Sequence, residues 1–388
     1  MTKTGAALIG AALVVPLVIA VWLILRIFND DKAGSPGAVS TMGTARWNHT
    51  ATLLPNGKVL IVGGLARVAN AVMPISLSST ELYDPSSNSW SPSGALAIAR
   101  ESHTATLLPS GKVLVVGGVA EGHDASRTAE LYDSASESWS PAGKMAKARS
   151  SYWGHTATLL LSGKVLVAAG SRGSATDGTA ELYDPSTNTW SSAGRMLDGY
   201  SHPEAVLLPS GNVLVVGYDS PELYKPSSDT WSSASAGGWL WRWLKSIERQ
   251  DHTATLLLTG KVLIAGGTIG GTKSKHVTSS INLYDPSSNS WSSASMLHAR
   301  AGHTATLLPG GKVLVAGGGG RLGLNSSAEL YDPSSDTWSE AGRLANARAY
   351  HTATLLPSGE VLFAGGQGNS GPLSSAELYD PSQATQTR

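Results

Sequence analysis

Seven histidines recur along the chain, His49, His103, His155, His202, His252, His303 and His351, separated by 54, 52, 47, 50, 51 and 48 residues. Imidazoles at such regular spacing could ligate a metal or move protons near neutral pH. A residue carried by every repeat is better matched to a task every repeat shares, a hydrogen bond to the neighbouring unit, so no metal and no cofactor is expected. Carboxylates and arginines form the second chemical set: Glu101, Asp124, Asp177 and Asp251, with Arg100, Arg172 and Arg300, could supply acid, base and anion-holding groups to one pocket. The third set is aromatic. Trp47, Tyr152, Trp153, Tyr200 and Tyr350 stand close to the histidines, and Gly237 to Asp251 (GGWLWRWLKSIERQD) holds Trp239, Trp241 and Trp243 beside Arg242, Lys245 and Arg249. Rings of this kind suit a sugar or a peptide.

Several chemistries are excluded at once. The chain has no cysteine, which removes disulfides, thiol catalysis and zinc-cysteine sites. Lys plus Arg and Asp plus Glu are equal at 28 each, so there is no electrostatic footprint for nucleic acid. Gly318 to Gly323 (GGGRLG) satisfies a GxGxxG pattern, but LNSSAELYDP follows it, another strand where a dinucleotide site needs a helix. There is no P-loop, HExxH, GxSxG or calcium loop. His123, Asp124 and His276 are isolated in loops and read as solvated side chains.

The elements that hold these residues come from a repeat of about 50 residues. HTATLLPSGKVLVVGG, His103 to Gly118, recurs at each histidine and is followed by a block of the type AELYDPSTNTW, ending at Trp90, Trp139, Trp190, Trp231, Trp291 and Trp338. His-Thr-Ala-Thr-Leu-Leu predicts an inner strand A, Lys-Val-Leu-Val-Val strand B and Glu-Leu-Tyr-Asp strand C, with the tryptophan on strand D. Strand B is apolar at successive positions, so both of its faces must be buried, as in a blade between two other blades. Glu81, Glu130, Glu181, Glu222, Glu329 and Glu377 are expected to pair with arginines at the start of strand A such as Arg46, Arg100, Arg300 and Arg348.

An arginine three residues before a histidine, then GKVLVVGG, ELYDP and a tryptophan, in that order, resemble the kelch repeat from about Ser40 to Pro381. The resemblance implies an all-β, seven-bladed kelch-type β-propeller, monomeric, over residues 41–388. The seventh unit stops at Tyr379-Asp380-Pro381 without a strand D, so Gly34 to Met42 is expected to close the ring. Residues 29–40 are thus a linker and the expected closing strand for blade 7. Ahead of them, Gly5 to Leu25 is 21 residues without a charge, roughly 32 Å of helix and enough to cross a bilayer. Residues 1–28 are therefore read as one N-terminal transmembrane helix, an anchor or uncleaved signal. The expectation is a single-pass membrane protein with an extracytoplasmic propeller.

Function is expected where the blades differ. Loops from B to C and from D to the next A surround one mouth of a propeller's channel. The B–C loops vary most, and blade 4 has almost none (Tyr218 to Pro221), yet its D–A connection from Trp231 to His252 is the longest. Trp239, Leu240, Trp243, Leu244 and Ile247 fall on one face of a short helix. That face could plug the gap, with Trp241 presented outward. The candidate ligand-binding set is Trp47, Arg100, Glu101, Tyr152, Trp153, Arg172, Tyr200, Trp241, Arg242, Asp251, Arg300 and Tyr350. What the kelch resemblance implies is a non-catalytic binding module for a protein or a carbohydrate. The alternative is a carbohydrate-active enzyme similar to sialic acid mutarotases or epimerases; the radical-copper chemistry of galactose oxidase needs a cysteine, which this chain lacks.

Overall fold

In the first repeat, strand A (Thr50–Leu53) pairs antiparallel with strand B (Val59–Val62), B with strand C (Thr80–Asp84) and C with strand D (Ser89–Pro92). Gly57, at φ +82°, closes the A–B turn by donating its N–H to Leu54 O at 2.9 Å. The computed structural model describes residues 40–68, 73–120, 126–149, 154–170, 178–197, 202–217, 221–234, 249–270, 276–320 and 323–381. Six repeats form this four-stranded sheet, and the seventh shows three strands among the described residues. The inner strands neighbour one another in a closed circle, the first beside the seventh. The fold is a seven-bladed β-propeller.

Strand B is wholly buried in every blade. Its side chains point alternately to the two adjoining blades, so each hydrophobic cluster is shared. Leu60, Val62 and Leu82 of blade 1 pack on Val113, Val115 and Tyr132 of blade 2, and Val59, Ile61 and Tyr83 pack on Leu362 and Ala364 of blade 7. Burying one such side chain stabilises by roughly 1.5–3 kcal/mol, which makes these seams the main source of cohesion. Strand D adds a polar stitch. Trp139 packs tilted against Tyr132, ring centroids 5.1 Å apart, and donates its indole N–H to Gly94 O of the preceding blade at 3.0 Å.

Trp90 makes the same bond to Ser40 O at 2.9 Å, and Met42 donates its N–H to Ser374 O of blade 7 at 2.9 Å. Residues 40–42 thus lie between blades 7 and 1. Of the expected closing stretch, residues 34–39 are outside the described residues, as are the apolar segment 5–25 and the expected helix over 239–247. Among the described residues no helix is long and apolar enough to cross a membrane. The glycine-rich stretch after strand B of blade 6 is a hairpin, with Gly319 opposite Leu324 and Gly320 opposite Gly323. It offers no helix terminus to a phosphate.

Candidate functional site

In six of the seven blades an arginine ahead of strand A is buried to 0–3% exposure; blade 4 carries none between Met196 and Pro203. Arg46 is fully buried; its Nη1 donates to Gly63 O and Ser79 O at 2.8 and 3.1 Å, and its Nη2 donates to Ser79 Oγ and to Glu81 Oε1 at 2.6 Å. Burial lowers the Arg46 pKa and the Glu81 charge partly restores it. Arg100–Glu130, Arg149–Glu181, Arg300–Glu329 and Arg348–Glu377 repeat the pair. Arg100 and Arg300, candidates for ligand contact, are therefore spent inside their blades at 0% exposure and do not reach the mouth. Arg149 escaped the sequence pattern because the insertion before His155 places it six residues from its histidine, where the others stand three away. Blade 5 departs from the rule: Arg249 bonds Gly266 O, Ser280 and Asn282 Oδ1, and burial without a carboxylate lowers its pKa to about 10.

The histidines stitch the inner strands together. His103 Nε2 lies 2.9 Å from Thr50 Oγ1 of the preceding blade, and His155–Thr104, His303–Thr253, His351–Thr304 and His49–Thr352 repeat the contact at 3.1–3.3 Å. His155 Nε2 also faces Val116 O at 3.1 Å, and a carbonyl can only accept, so this nitrogen carries the proton. Burial holds these imidazoles neutral, pushing His49, His252 and His303 down to about 3 and His155 to about 4. Gly64, at φ +97°, permits the close approach: a Cβ there would lie 2.9 Å from His49 Cβ. Blade 4 differs from the sequence reading by one residue. Its inner strand is Glu204–Leu207, so Pro203 takes the histidine's place and Glu204 the threonine's, while His202 stands one residue earlier. Alignment on His202 concealed the shift; alignment on Leu207-Leu208-Pro209 would have shown it.

The residue just before each of these positions turns into the left-handed region, with φ between 50° and 63° at Asn48, Ser102, Gly154, His202, Asp251, Gly302 and Tyr350. Backbone bonds link them across blades: Gly302 N–H to Asp251 O, Tyr350 to Gly302, Asn48 to Tyr350 and Ser102 to Asn48, at 2.8–3.2 Å. Immediately beside them the D–A and B–C segments meet, Trp47 opposite Leu65, Glu101 opposite Val119 and Gln250 opposite Thr268. This circle is the rim of the channel mouth.

Two polar groups form on it. Glu101 accepts from Asn48 Nδ2 at 3.1 Å and from the Ser102 hydroxyl. Tyr350 lies over Gly302, where a Cβ would come within 2.9 Å of its ring, and its hydroxyl reaches Asp251 Oδ2 at 3.2 Å. Burial, then the Asp251 charge, raises the Tyr350 pKa. Two residues inside the rim, Glu204 is pushed up to about 7 by burial first and by the Asp251 charge second. Of the expected set, Glu101, Asp251 and Tyr350 stand on the rim and Trp47 adjoins it, half-buried. Tyr152, Trp153, Arg172, Tyr200, Trp241 and Arg242 lie outside the described residues. Glu204, Asn48 and Ser102 were missed, because residues on separate blades leave no linear spacing to read.

Among the described residues no three histidine, cysteine, aspartate or glutamate side chains gather as a metal group would require. The Kelch motif family models match residues 102–146, 154–197 and 299–344 in one form and 46–97 in another. No curated protein sequence matches. A solved structure of a fungal alcohol oxidase of the AA5 family, in complex with copper, superposes with a TM-score of 0.71 at 19% identity, covering 90% of this chain and 77% of that one. At that identity the likeness is one of fold alone.

Proposed function

Since this chain is a kelch-repeat protein folded as a seven-bladed propeller, we propose that it is a membrane-tethered, non-catalytic binding module that takes a protein or carbohydrate ligand on the loop face, over the channel mouth. One observation carries the reading. The arginines and histidines that recur between blades are consumed by recurring partners, whereas the rim residues Asn48, Glu101, Asp251 and Tyr350 differ from blade to blade and stand half-buried or exposed. Non-repeated polar and aromatic side chains on a fixed rim suit recognition. The tether is residues 5–25, whose length and lack of charge suit a membrane helix.

A second reading has its own observation. Glu204 near neutrality beside Asp251 is an acid–base pair of the kind an epimerase or mutarotase uses. The copper of the alcohol oxidase is not carried over to this chain, because at 19% identity the likeness is one of fold alone. The test is affinity capture on the immobilised full-length chain in detergent, beside Tyr350→Ala and a form lacking residues 237–248. A protein or glycan retained by the parent and lost from a variant supports the binding module. Retention of nothing, together with sugar mutarotation that Glu204→Gln abolishes, would replace it with the enzyme.

A further inference from the structure

Six blades begin their inner strand with His-Thr, and blade 4 begins it with Pro203-Glu204. The two changes fall at adjoining seams: Pro203 stands opposite Thr156 of blade 3, and Glu204, by the same geometry, stands toward blade 5. Pro203 has no nitrogen to offer, so Thr156 of blade 3, at 7% exposure, keeps a buried hydroxyl without a partner where five equivalent threonines face a histidine. No side chain among the described residues donates to the Glu204 carboxyl, and the charge that acts on it is another carboxylate, Asp251. The arginines nearby in sequence point into their blades: Arg249 to Gly266, Ser280 and Asn282, and Arg300 to Glu329. Lys58, Lys112, Lys164, Lys261 and Lys312 pair with aspartates beside the turns at the far end of the sheets.

We propose that this break in the ring, walled by Thr156, Glu204, Asp251 and Tyr350, is a niche for a protonated primary amine on an unbranched stem, as a lysine side chain of a partner carries it. The proposal rests on the loop face being where a ligand arrives. An ammonium has three donors and no acceptor, and the niche supplies the complement: two carboxylates and an orphan hydroxyl. Glu204 lies two residues inside the rim, roughly 7 Å along an extended chain, which a flexible four-carbon stem can span. Burial first and the Asp251 charge second favour the protonated Glu204 carboxyl, and an ammonium placed between the two carboxylates would offset both by favouring their charged forms.

The probe is Nα-acetyl-lysine methylamide, with the neutral norleucine analogue as control, titrated calorimetrically into the full-length chain in detergent. The lysine probe should bind saturably and the control should not. Glu204→Gln should weaken it roughly tenfold or more. The double change Pro203→His with Glu204→Thr should abolish it; this installs the dipeptide that six blades already carry, so the chain should fold, and an unchanged circular dichroism spectrum and melting point check that it does. Equal binding of both probes, or unchanged lysine-probe affinity in the repaired chain, overturns the niche. The two readings separate cleanly. If a captured ligand is still retained by the repaired chain, the loop-face module stands and the niche falls. If nothing is captured, yet the lysine probe binds and is lost on repair, the niche stands and the module as proposed falls.

Discussion

From blade 5 through blades 6, 7 and 1 to blade 2, the inner circle is continuous: left-handed residues pass a backbone hydrogen bond from blade to blade, and histidine meets threonine at each seam below them. Across blades 3 to 5 the same circle carries Pro203 for histidine, Glu204 for threonine, Val206 for the second threonine and an arginine without its carboxylate. The first arc shows what the fold requires, since the same buried contact between histidine and threonine closes each of its seams. The second shows what the fold tolerates, and a tolerated loss of cohesion is the physical mark of a place shaped for something else.

Acid should separate the arcs most strongly. Six buried histidines, His49, His103, His155, His252, His303 and His351, have their pKa lowered by burial, most of them to about 3 or 4. Their unfolded counterparts protonate near pH 6.5, so unfolding takes up protons below that value. Their contribution is fully present above about pH 6.5 and is lost as pH falls toward the folded values. The melting temperature should therefore fall steeply between pH 6.5 and 4, and a flat profile would mean that the imidazoles are not enclosed.

Next in size is the comparison of two arginines. Arg300→Met removes the buried cation facing the wholly buried Glu329, leaving it the Leu297 and His298 N–H groups and the His298 ring, and should cost about 3 kcal/mol in a denaturant titration. Arg249→Met leaves behind only Asn282, Ser280 and backbone carbonyls, and should cost less, about 1–3 kcal/mol. Equal losses would erase the distinction between a paired and an unpaired blade. Smaller again is Pro203→His alone. It gives the Thr156 hydroxyl the partner its equivalents have, and should stabilise by about 0.5–1.5 kcal/mol. A chain no more stable than the parent would show that Thr156 has found another partner in solution.

The propeller was legible because each blade restates it. Contiguous apolar residues in strand B, a glycine at each turn and a tryptophan on each strand D are local signals, and seven repetitions average out their exceptions. The channel mouth was legible only in part. Glu101, Asp251 and Tyr350 were found because they adjoin the repeated histidines. Arg100 and Arg300 were drawn to the mouth by the same proximity, although burial and Glu130 or Glu329 hold them inside. Glu204 was hidden by a coincidence, since a histidine at 202 imitates the repeat while the hydrophobic register of Val206, Leu207 and Leu208 places the strand one residue later. Tertiary register decided the matter, and it is set by which side chains face the blade seams.

That one-residue shift also yields the most specific prediction. Glu204 has its pKa raised from the ordinary 4.5 to about 7, so its folded form favours the neutral carboxyl. Its contribution to stability is present below about pH 4.5 and is lost as pH rises through 7. Glu204→Gln keeps the shape and removes the titration. The variant should match the parent at pH 4.5 and exceed it by about 1–2 kcal/mol at pH 8, since the side chain is only half-buried and solvent screens part of the effect. The histidines titrate alike in both chains, so their effect cancels in the difference. The titratable groups facing Glu204 are Asp251 and, by the repeat geometry, His252, with His202 on the adjoining rim; His252 is already neutral. Asp251→Asn should therefore shrink the pH-dependent gap without removing it, because burial is the larger cause. A gap independent of pH would show that Glu204 meets bulk water, and the break in the ring would then be exposed surface with nothing enclosed.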